Sequence, residues 1–298
     1  MTAVGIVGLG TMGSRFAGRL LEAGYDVHGT NREPARAAAL VARGMKWHDT
    51  PRELAAAVEV VISMVTDDAA LTAITRGPDG IIAGLAPGHV YLDMSSVSPH
   101  ASVQTAELVR AAGAEMLDAP VSGSVPQAQA GTLAIMVGGD ETTFQRVEAL
   151  LRVLGANITR VGDNGAGVTL KLAINISLAV QTLAFSEGLL LAERAGIDPQ
   201  LAAQVMVNSP IGSPMLAARV PLLLDLPEAA WFPMRLMRKD IRLALQEARR
   251  RGIALPSAAA ADDVLAVATD LGYAERDIAG IREVLCRMGS TPEATSAA

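Results

Sequence analysis

Cysteine is almost missing from this 298-residue chain. The single one, Cys286, excludes an intrachain disulfide framework and any cysteine-cluster metal site. Four scattered histidines make a zinc site equally unexpected, so no metal is assigned. Aromatic residues are 3% of the chain, so a core must be built from Ala, Leu, Val, Ile and Met. There is no basic excess: 25 Lys and Arg stand against 31 Asp and Glu, a formal net charge of −6. That removes a global electrostatic drive toward nucleic acid or anionic lipid, and neither nucleic acid nor membrane is expected as a partner. No uninterrupted apolar run approaches the length of a membrane span. The opening Met1-Thr2-Ala3-Val4-Gly5-Ile6-Val7 has no basic leader, and the expected compartment is the cytoplasm.

What is present argues for a folded enzyme-sized protein. Hydrophobic residues are 50% and charged residues 19%, ample for a core and unlike a disordered chain. The length suggests two domains. The first half alternates short β-rich runs (4–8, 26–30, 60–64, 90–93, 115–119, 133–137) with Ala/Leu-rich helical patterns. Such alternation predicts βαβ units and a parallel sheet, with a last short strand at 160–163. From Gly165 onward the strand pattern stops, and helices are expected at 168–195, 199–207, 213–224, 237–251, 256–270 and 278–288. The fold class is therefore α/β: a Rossmann-like doubly wound domain over 1–163, then an all-α domain over 164–288. The small, polar stretch 289–298 is expected to be a disordered tail.

Gly8-Leu9-Gly10-Thr11-Met12-Gly13 fits G-x-G-x-x-G, after an expected strand and at the start of an expected helix. In that setting Gly8 serves the tight turn, Gly10 the approach of a pyrophosphate, and Gly13 close helix–strand packing. The helix N-terminus offers free N–H groups and a favourable dipole to the anion. A purely structural glycine turn is the competing reading, and the strand–turn–helix context weighs against it. An NAD-selective site places an acid about 20 residues on, at the end of the second strand. Here Thr30-Asn31-Arg32 stands instead, and a guanidinium pairs with a 2′-phosphate. NADP is thus expected over NAD, unless the adjacent Glu33 faces the ribose.

Two further segments attract attention. Asp118-Ala119-Pro120-Val121-Ser122-Gly123-Ser124 follows an expected strand, where ligands of open α/β sheets bind. Ser122, Gly123 and Ser124 read either as a carboxylate-binding nest or as an ordinary Ser/Gly turn. A serine hydrolase would need a G-x-S-x-G elbow and a nearby His base, and neither is present. Further on, Lys171 and Asn175 share one face of an apolar helix. A buried lysine trades protons near neutrality, whereas a lysine snorkelling at a helix edge does not; the residues alone leave both open.

Together these pieces resemble the β-hydroxyacid dehydrogenase family, whose members include 3-hydroxyisobutyrate dehydrogenase and the tartronate and glyoxylate/succinic semialdehyde reductases. The resemblance spans about residues 3–288. It rests on Gly8–Gly13, on Asp118 to Gly123, and on Gly131-Thr132-Leu133 with Val137-Gly138-Gly139. It rests also on Gly165-x-Gly167 with Lys171 and Asn175, and on Lys239-Asp240 with Phe232 upstream. It implies hydride transfer between NAD(P) and a small carboxylate substrate, with Lys171 as general acid and base and Asn175 orienting substrate or lysine. It implies that Ser122, Gly123 and Ser124 hold the carboxylate, with Phe232 walling the pocket and Asp240 nearby. Leu9, Thr11, Met12, Asn31, Val65, Thr66, Ser96 and Lys239 would contact the cofactor beside the glycines and Arg32. Three departures stand out: Ser124 for a second glycine, Thr66 for a proline, and Ala70 for an asparagine.

Rival readings are an imine reductase, which carries Asp or Tyr in place of Lys171, and a non-catalytic NADP-binding protein. A decarboxylating sugar-phosphate enzyme would need a clamp such as Arg219, Arg235 and Arg238. The apolar helix after Gly165 looks buried all round. That suits a homo-oligomer, and the resemblance implies dimers or tetramers. Met215, Leu216 and Met234 hint at an aliphatic pocket for a short aldehydic acid.

Overall fold

The computed structural model describes residues 3–289, and the chain divides into two compact units, Met1–Leu172 and Ala173–Ala298. In the first, the strands are β1 (Ala3–Val7), β2 (Asp26–Thr30), β3 (Lys46–Trp47), β4 (Val60–Ser63), β5 (Val90–Asp93), β6 (Glu115–Asp118), β7 (Val121–Ser122), β8 (Leu133–Gly138) and β9 (Gly155–Gly162). Between them run α1 (Gly13–Glu22), α2 (Ala38–Val41), α3 (Pro51–Ala57), α4 (Asp68–Thr75), α5 (Ile81–Gly84), α6 (Pro99–Ala111), α7 (Val125–Ala130) and α8 (Glu141–Leu154).

The strands form one sheet in the order β3-β2-β1-β4-β5-β6-β8-β7, with β9 against β8. β4 and β5 read Val-Val-Ile-Ser and Val-Tyr-Leu-Asp and are buried at every position, as strands covered on both faces must be. Their apolar side chains feed two core clusters. One gathers Phe16, Leu20, Leu92 and Leu151; the other gathers Leu54, Val61, Tyr91 and Val109. Burying each large side chain stabilises the fold by about 1.5–3 kcal/mol. The chain leaves β1 toward β2 and β3 on one side and toward β4, β5 and β6 on the other. The switch point thus lies at the carboxyl ends of β1 and β4, where open α/β sheets bind ligands.

The expectation of a parallel sheet holds from β1 through β6 and again between β8 and β9, and fails only where β8 meets β6 and β7. β8 runs antiparallel to β6 and to β7. The physical reason is the return path: Pro120, the two-residue β7 and the six-residue α7 fold back directly onto β8. β3 and β7 went unread in the sequence, and the last strand begins at Gly155 rather than at 160.

Among the described residues, no strand follows β9. α9 (Ala166–Arg194) leads into α10 (Pro199–Asn208), α11 (Pro214–Leu224), α12 (Met234–Arg251), α13 (Pro256–Asp270) and α14 (Ile281–Gly289). The division between units falls inside α9, past the boundary expected at 163/164. Gly289 ends α14, and the rest of the expected tail lies outside the described residues.

α9 bears on two of the expectations. It is long and apolar enough to cross a membrane by length and composition, yet Asn175, Thr182 and Ser186 are buried along it, as in a core helix. Nor is it covered all round: Leu170 is 40% and Leu191 75% exposed. Apolar sequence alone does not say which face finds a neighbour.

Candidate active site

The turn after β1 is shaped by steric necessity. Gly8 has φ +97°, and a Cβ there would lie 2.5 Å from the Met64 carbonyl oxygen. A Cβ at Gly13 would lie 1.9 Å from the Gly8 carbonyl oxygen, so only glycine lets α1 start against the turn. Gly10 differs, because a Cβ there would meet nothing within 4 Å. Met12 stands at the N-cap of α1 with no side-chain cap bond, and no acid occupies the first turn. The Ser14 and Arg15 N–H groups donate to the Gly10 and Met12 carbonyls at 3.1 and 2.9 Å, and the space over Gly10 stays open, which fits a pyrophosphate approaching the turn.

Leu9 is buried, and its N–H donates to Asn31 Oδ1 at 2.9 Å. Asn31 Nδ2 donates to the Glu33 carbonyl at 3.0 Å. Asn31 therefore ties the glycine turn to the end of β2. Arg32 is exposed there, while the Glu33 carboxylate is engaged by Arg36 Nε at 3.0 Å. Thr11 is exposed, and its carbonyl accepts from Arg15.

The ends of β4 and β5 are joined by a buried polar relay. Ser63 Oγ donates to Asp93 Oδ1 at 2.7 Å and lies 2.7 Å from the Tyr91 hydroxyl. The Ser95 N–H reaches the same Asp93 oxygen at 3.2 Å, and Ser95 Oγ accepts from the Val65 N–H at 2.9 Å. This relay fixes the two loops carrying Val65, Thr66 and Ser96. Burial, with Asp93 beside it, drives the Tyr91 hydroxyl well above its ordinary pKa, so it stays neutral. Sequence reasoning missed these residues. Their only signal is polar side chains placed where an apolar strand should continue.

Ser122 lies in β7 opposite Ala134, and Gly123 has φ +126°. Ser124 requires a correction. It is the N-cap of α7 in a capping box, and its N–H donates to Gln127 Oε1 at 2.9 Å. That N–H is spent inside the chain, so the nest open to a carboxylate is narrower than expected.

On α9, Lys171 is buried and Asn175 fully so; a lysine snorkelling at a helix edge is excluded. Asn175 Nδ2 donates to the buried Asp240 Oδ2, while Asn175 Oδ1 is buried with no hydrogen-bond partner. Lys239 Nζ lies 2.8 Å from Asp240 Oδ1, an ion pair inside the second unit. Phe232 is held by Asp277: both the Trp231 and Phe232 N–H groups donate to Asp277 Oδ2, at 2.8 and 2.9 Å.

Comparison with known proteins decides the lineage. Residues 3–162 match the NAD binding domain of 6-phosphogluconate dehydrogenase. Residues 165–285 match the domain described as NAD-binding of NADP-dependent 3-hydroxyisobutyrate dehydrogenase. The 2-hydroxy-3-oxopropionate reductase of Escherichia coli is 35% identical over 95% of this chain and 96% of its own length. The 3-hydroxyisobutyrate dehydrogenase of Pseudomonas aeruginosa is 34% identical over 90% of this chain and 92% of its own. In three dimensions, Mycobacterium tuberculosis 3-hydroxyisobutyrate dehydrogenase, solved with L-serine, superposes with a TM-score of 0.85 at 30% identity, covering 96% of this chain and 99% of that one.

The chain belongs to the β-hydroxyacid dehydrogenase family. It is an NAD(P)-binding oxidoreductase acting on CH–OH groups. For a dehydrogenase of this family the open turn at Gly8–Gly13 is the fitting place for the dinucleotide.

Other expected groupings do not assemble. Arg219 pairs with Asp277 at 3.0 Å, Arg235 with Glu275 at 2.6 Å and Arg238 with Asp262 at 3.3 Å. Each guanidinium serves a different carboxylate, so the three form no phosphate clamp. Leu216 and Met234 are buried in hydrophobic clusters, and Met215 packs against one of them. They are core side chains rather than an aliphatic pocket lining.

Proposed function

We propose that this dehydrogenase transfers a hydride between NADP(H) and a small β-hydroxyacid or aldehydic acid, of the 3-hydroxyisobutyrate, short semialdehyde or glyoxylate type, using Lys171 as proton donor and acceptor. When bound, NADP(H) supplies or accepts the hydride. As a carbonyl is reduced, negative charge gathers on its oxygen. A Lys171 ammonium stabilises that charge and delivers the proton; a neutral Lys171 takes it back in oxidation. Asn175 keeps a free carbonyl oxygen for a hydroxyl or ammonium, because its amide nitrogen is committed to Asp240. Ser122 and Gly123 hold the substrate carboxylate.

One observation carries the reading: a buried lysine one helical turn from a buried asparagine, on a helix otherwise rich in Leu, Ile, Val and Ala. The preference for NADP over NAD is supported by the exposed Arg32 at the end of β2, with Glu33 drawn away by Arg36. A homo-oligomer is supported by the apolar side chains that a single chain leaves exposed, among them Leu191, Ile197, Leu201 and Val205.

The test is cofactor turnover by the purified protein on glyoxylate and on succinic, methylmalonate and tartronate semialdehydes. NADPH and NADH are run in parallel, and a cyclic imine is included. NADPH oxidation with one of the acids is expected, and Lys171→Ala should lower kcat by at least about 100-fold while NADPH still binds. Equal turnover in that variant, or turnover of the imine alone, ends the proposal.

A further inference from the structure

Several fragments of the chain converge on one buried carboxylate. Asp118, the last residue of β6, is fully buried. Its Oδ1 accepts from the Gly165 N–H at 2.7 Å and its Oδ2 from the Val168 N–H at 2.9 Å. A strand thus caps the start of α9 from far away in sequence. The neighbouring glycines make room for it. A Cβ at Gly138 would lie 2.6 Å from Asp118 Oδ1, and one at Gly167 would lie 2.8 Å from Asp118 Oδ2. Gly165 has φ +92°, which turns its N–H onto the carboxylate at little steric cost. Burial pushes the Asp118 carboxyl up to about 6, against the pull of its two N–H donors, and the neighbouring Asp93 adds to the rise.

The two ends of this link lead to the chemistry. Four residues beyond Asp118 comes Ser122, and three beyond Val168 on the same helix comes Lys171. We propose that Asp118 is the positioning residue of the proton donor: it fixes the first turns of α9, and so the Lys171 amine, against the turn at Ser122–Ser124. The inference rests on the reading of Lys171 given above. Asp118 itself touches no substrate; it acts only through the helix.

A double-mutant cycle on the full-length enzyme tests it. Asp118→Asn, Lys171→Ala and the pair are assayed with whichever of the four aldehydic acids the enzyme reduces fastest. Asp118→Asn should lower kcat about 100-fold, as a misplaced acid does, and leave KM and the Kd for NADPH within about threefold. In the Lys171→Ala background the same change should cost less than about threefold more. The pH limb of kcat that vanishes in Lys171→Ala should move by about one unit in Asp118→Asn. Gly138→Ala, which crowds the same carboxylate from another side, should lower kcat about tenfold.

Unchanged kcat in Asp118→Asn overturns the inference, as does a full further loss in the Lys171→Ala background. If neither Asp118→Asn nor Gly138→Ala binds NADPH or keeps a native circular dichroism spectrum, the inference also fails, because the carboxylate then holds the fold rather than the lysine. If Lys171→Ala alone keeps wild-type turnover, the parent reading falls and this one with it.

Discussion

Two helices start in the first unit beside glycine turns, and the chain treats them in opposite ways. α1 starts with no side-chain cap, with Met12 at its N-cap and open space over Gly10. α9 starts with its donors already taken by Asp118. Both starts are glycine-rich, and glycine serves two different ends in them. In the first it leaves open space over Gly10, where the proposed reading puts an anion that arrives from outside. In the second it admits an anion that the fold supplies for itself. A glycine cluster at a helix start therefore marks an anion site, and the neighbouring side chains say whose anion it is.

The comparison breaks most severely at Gly13. Gly13→Ala would press a Cβ to 1.9 Å from the Gly8 carbonyl oxygen. It should destabilise the protein by about 3–5 kcal/mol and abolish NADPH binding, seen together in thermal melts and fluorescence titration. Native stability in that variant would show that the turn is loose.

The filled helix start predicts a stability signature. The Asp118 carboxyl sits at about 6 in the fold against an ordinary 3.8. The folded state therefore holds a proton that the unfolded chain has released between those values, so this group's contribution falls as pH rises from about 4 to 6 and stays lost above. At 1.36 kcal/mol per unit the loss is about 3 kcal/mol. In Asp118→Asn the slope should disappear. The stability gap between wild type and variant should thus change across that window and be flat above it. A constant gap would mean that Asp118 does not titrate there.

Gly10 gives the cleaner separation of roles. Gly10→Ala meets nothing within 4 Å in the chain. It should leave the melting temperature within about 1 °C, yet weaken NADPH about tenfold, because its methyl would stand where the proposed reading puts the pyrophosphate. Wild-type affinity would place the phosphates elsewhere.

Much of this was legible in the sequence, for identifiable reasons. β2 and β5 fall on the residues expected for them, and β5, Val-Tyr-Leu-Asp, shows why: a strand buried on both faces is a short apolar run with a polar end. The glycine turn was readable because its context, strand before and helix after, is local. β3 and β7 are two residues long and have no periodicity to read. The reversal of β8 is invisible for another reason: Leu-Ala-Ile-Met-Val-Gly suits a parallel or an antiparallel neighbour equally. Asp118 shows the same limit at the site. Its donors lie 47 and 50 residues away, and no local pattern names them. A hint was present in Gly138, Gly165 and Gly167, which cluster around no ordinary turn.

The smallest effect lies at the ribose end of the open site. Arg36 holds the Glu33 carboxylate at 3.0 Å, and Arg32 is its exposed neighbour. Both partners of the Arg36–Glu33 pair are about half exposed, so the bond itself adds well under about 1 kcal/mol to stability. Its value is in where it keeps the negative charge. Arg36→Ala frees Glu33 to swing toward the position that a 2′-phosphate would take beside Arg32. A carboxylate there repels a dianion and leaves a ribose hydroxyl unharmed. NADPH should weaken about threefold at low salt while NADH does not change, and the difference should fade as ionic strength rises past about 0.15 M. Equal weakening of both cofactors would mean that Arg36 acts on the shape of the loop and not through the charge of Glu33. Arg32 would then lose its best support as the reader of the phosphate.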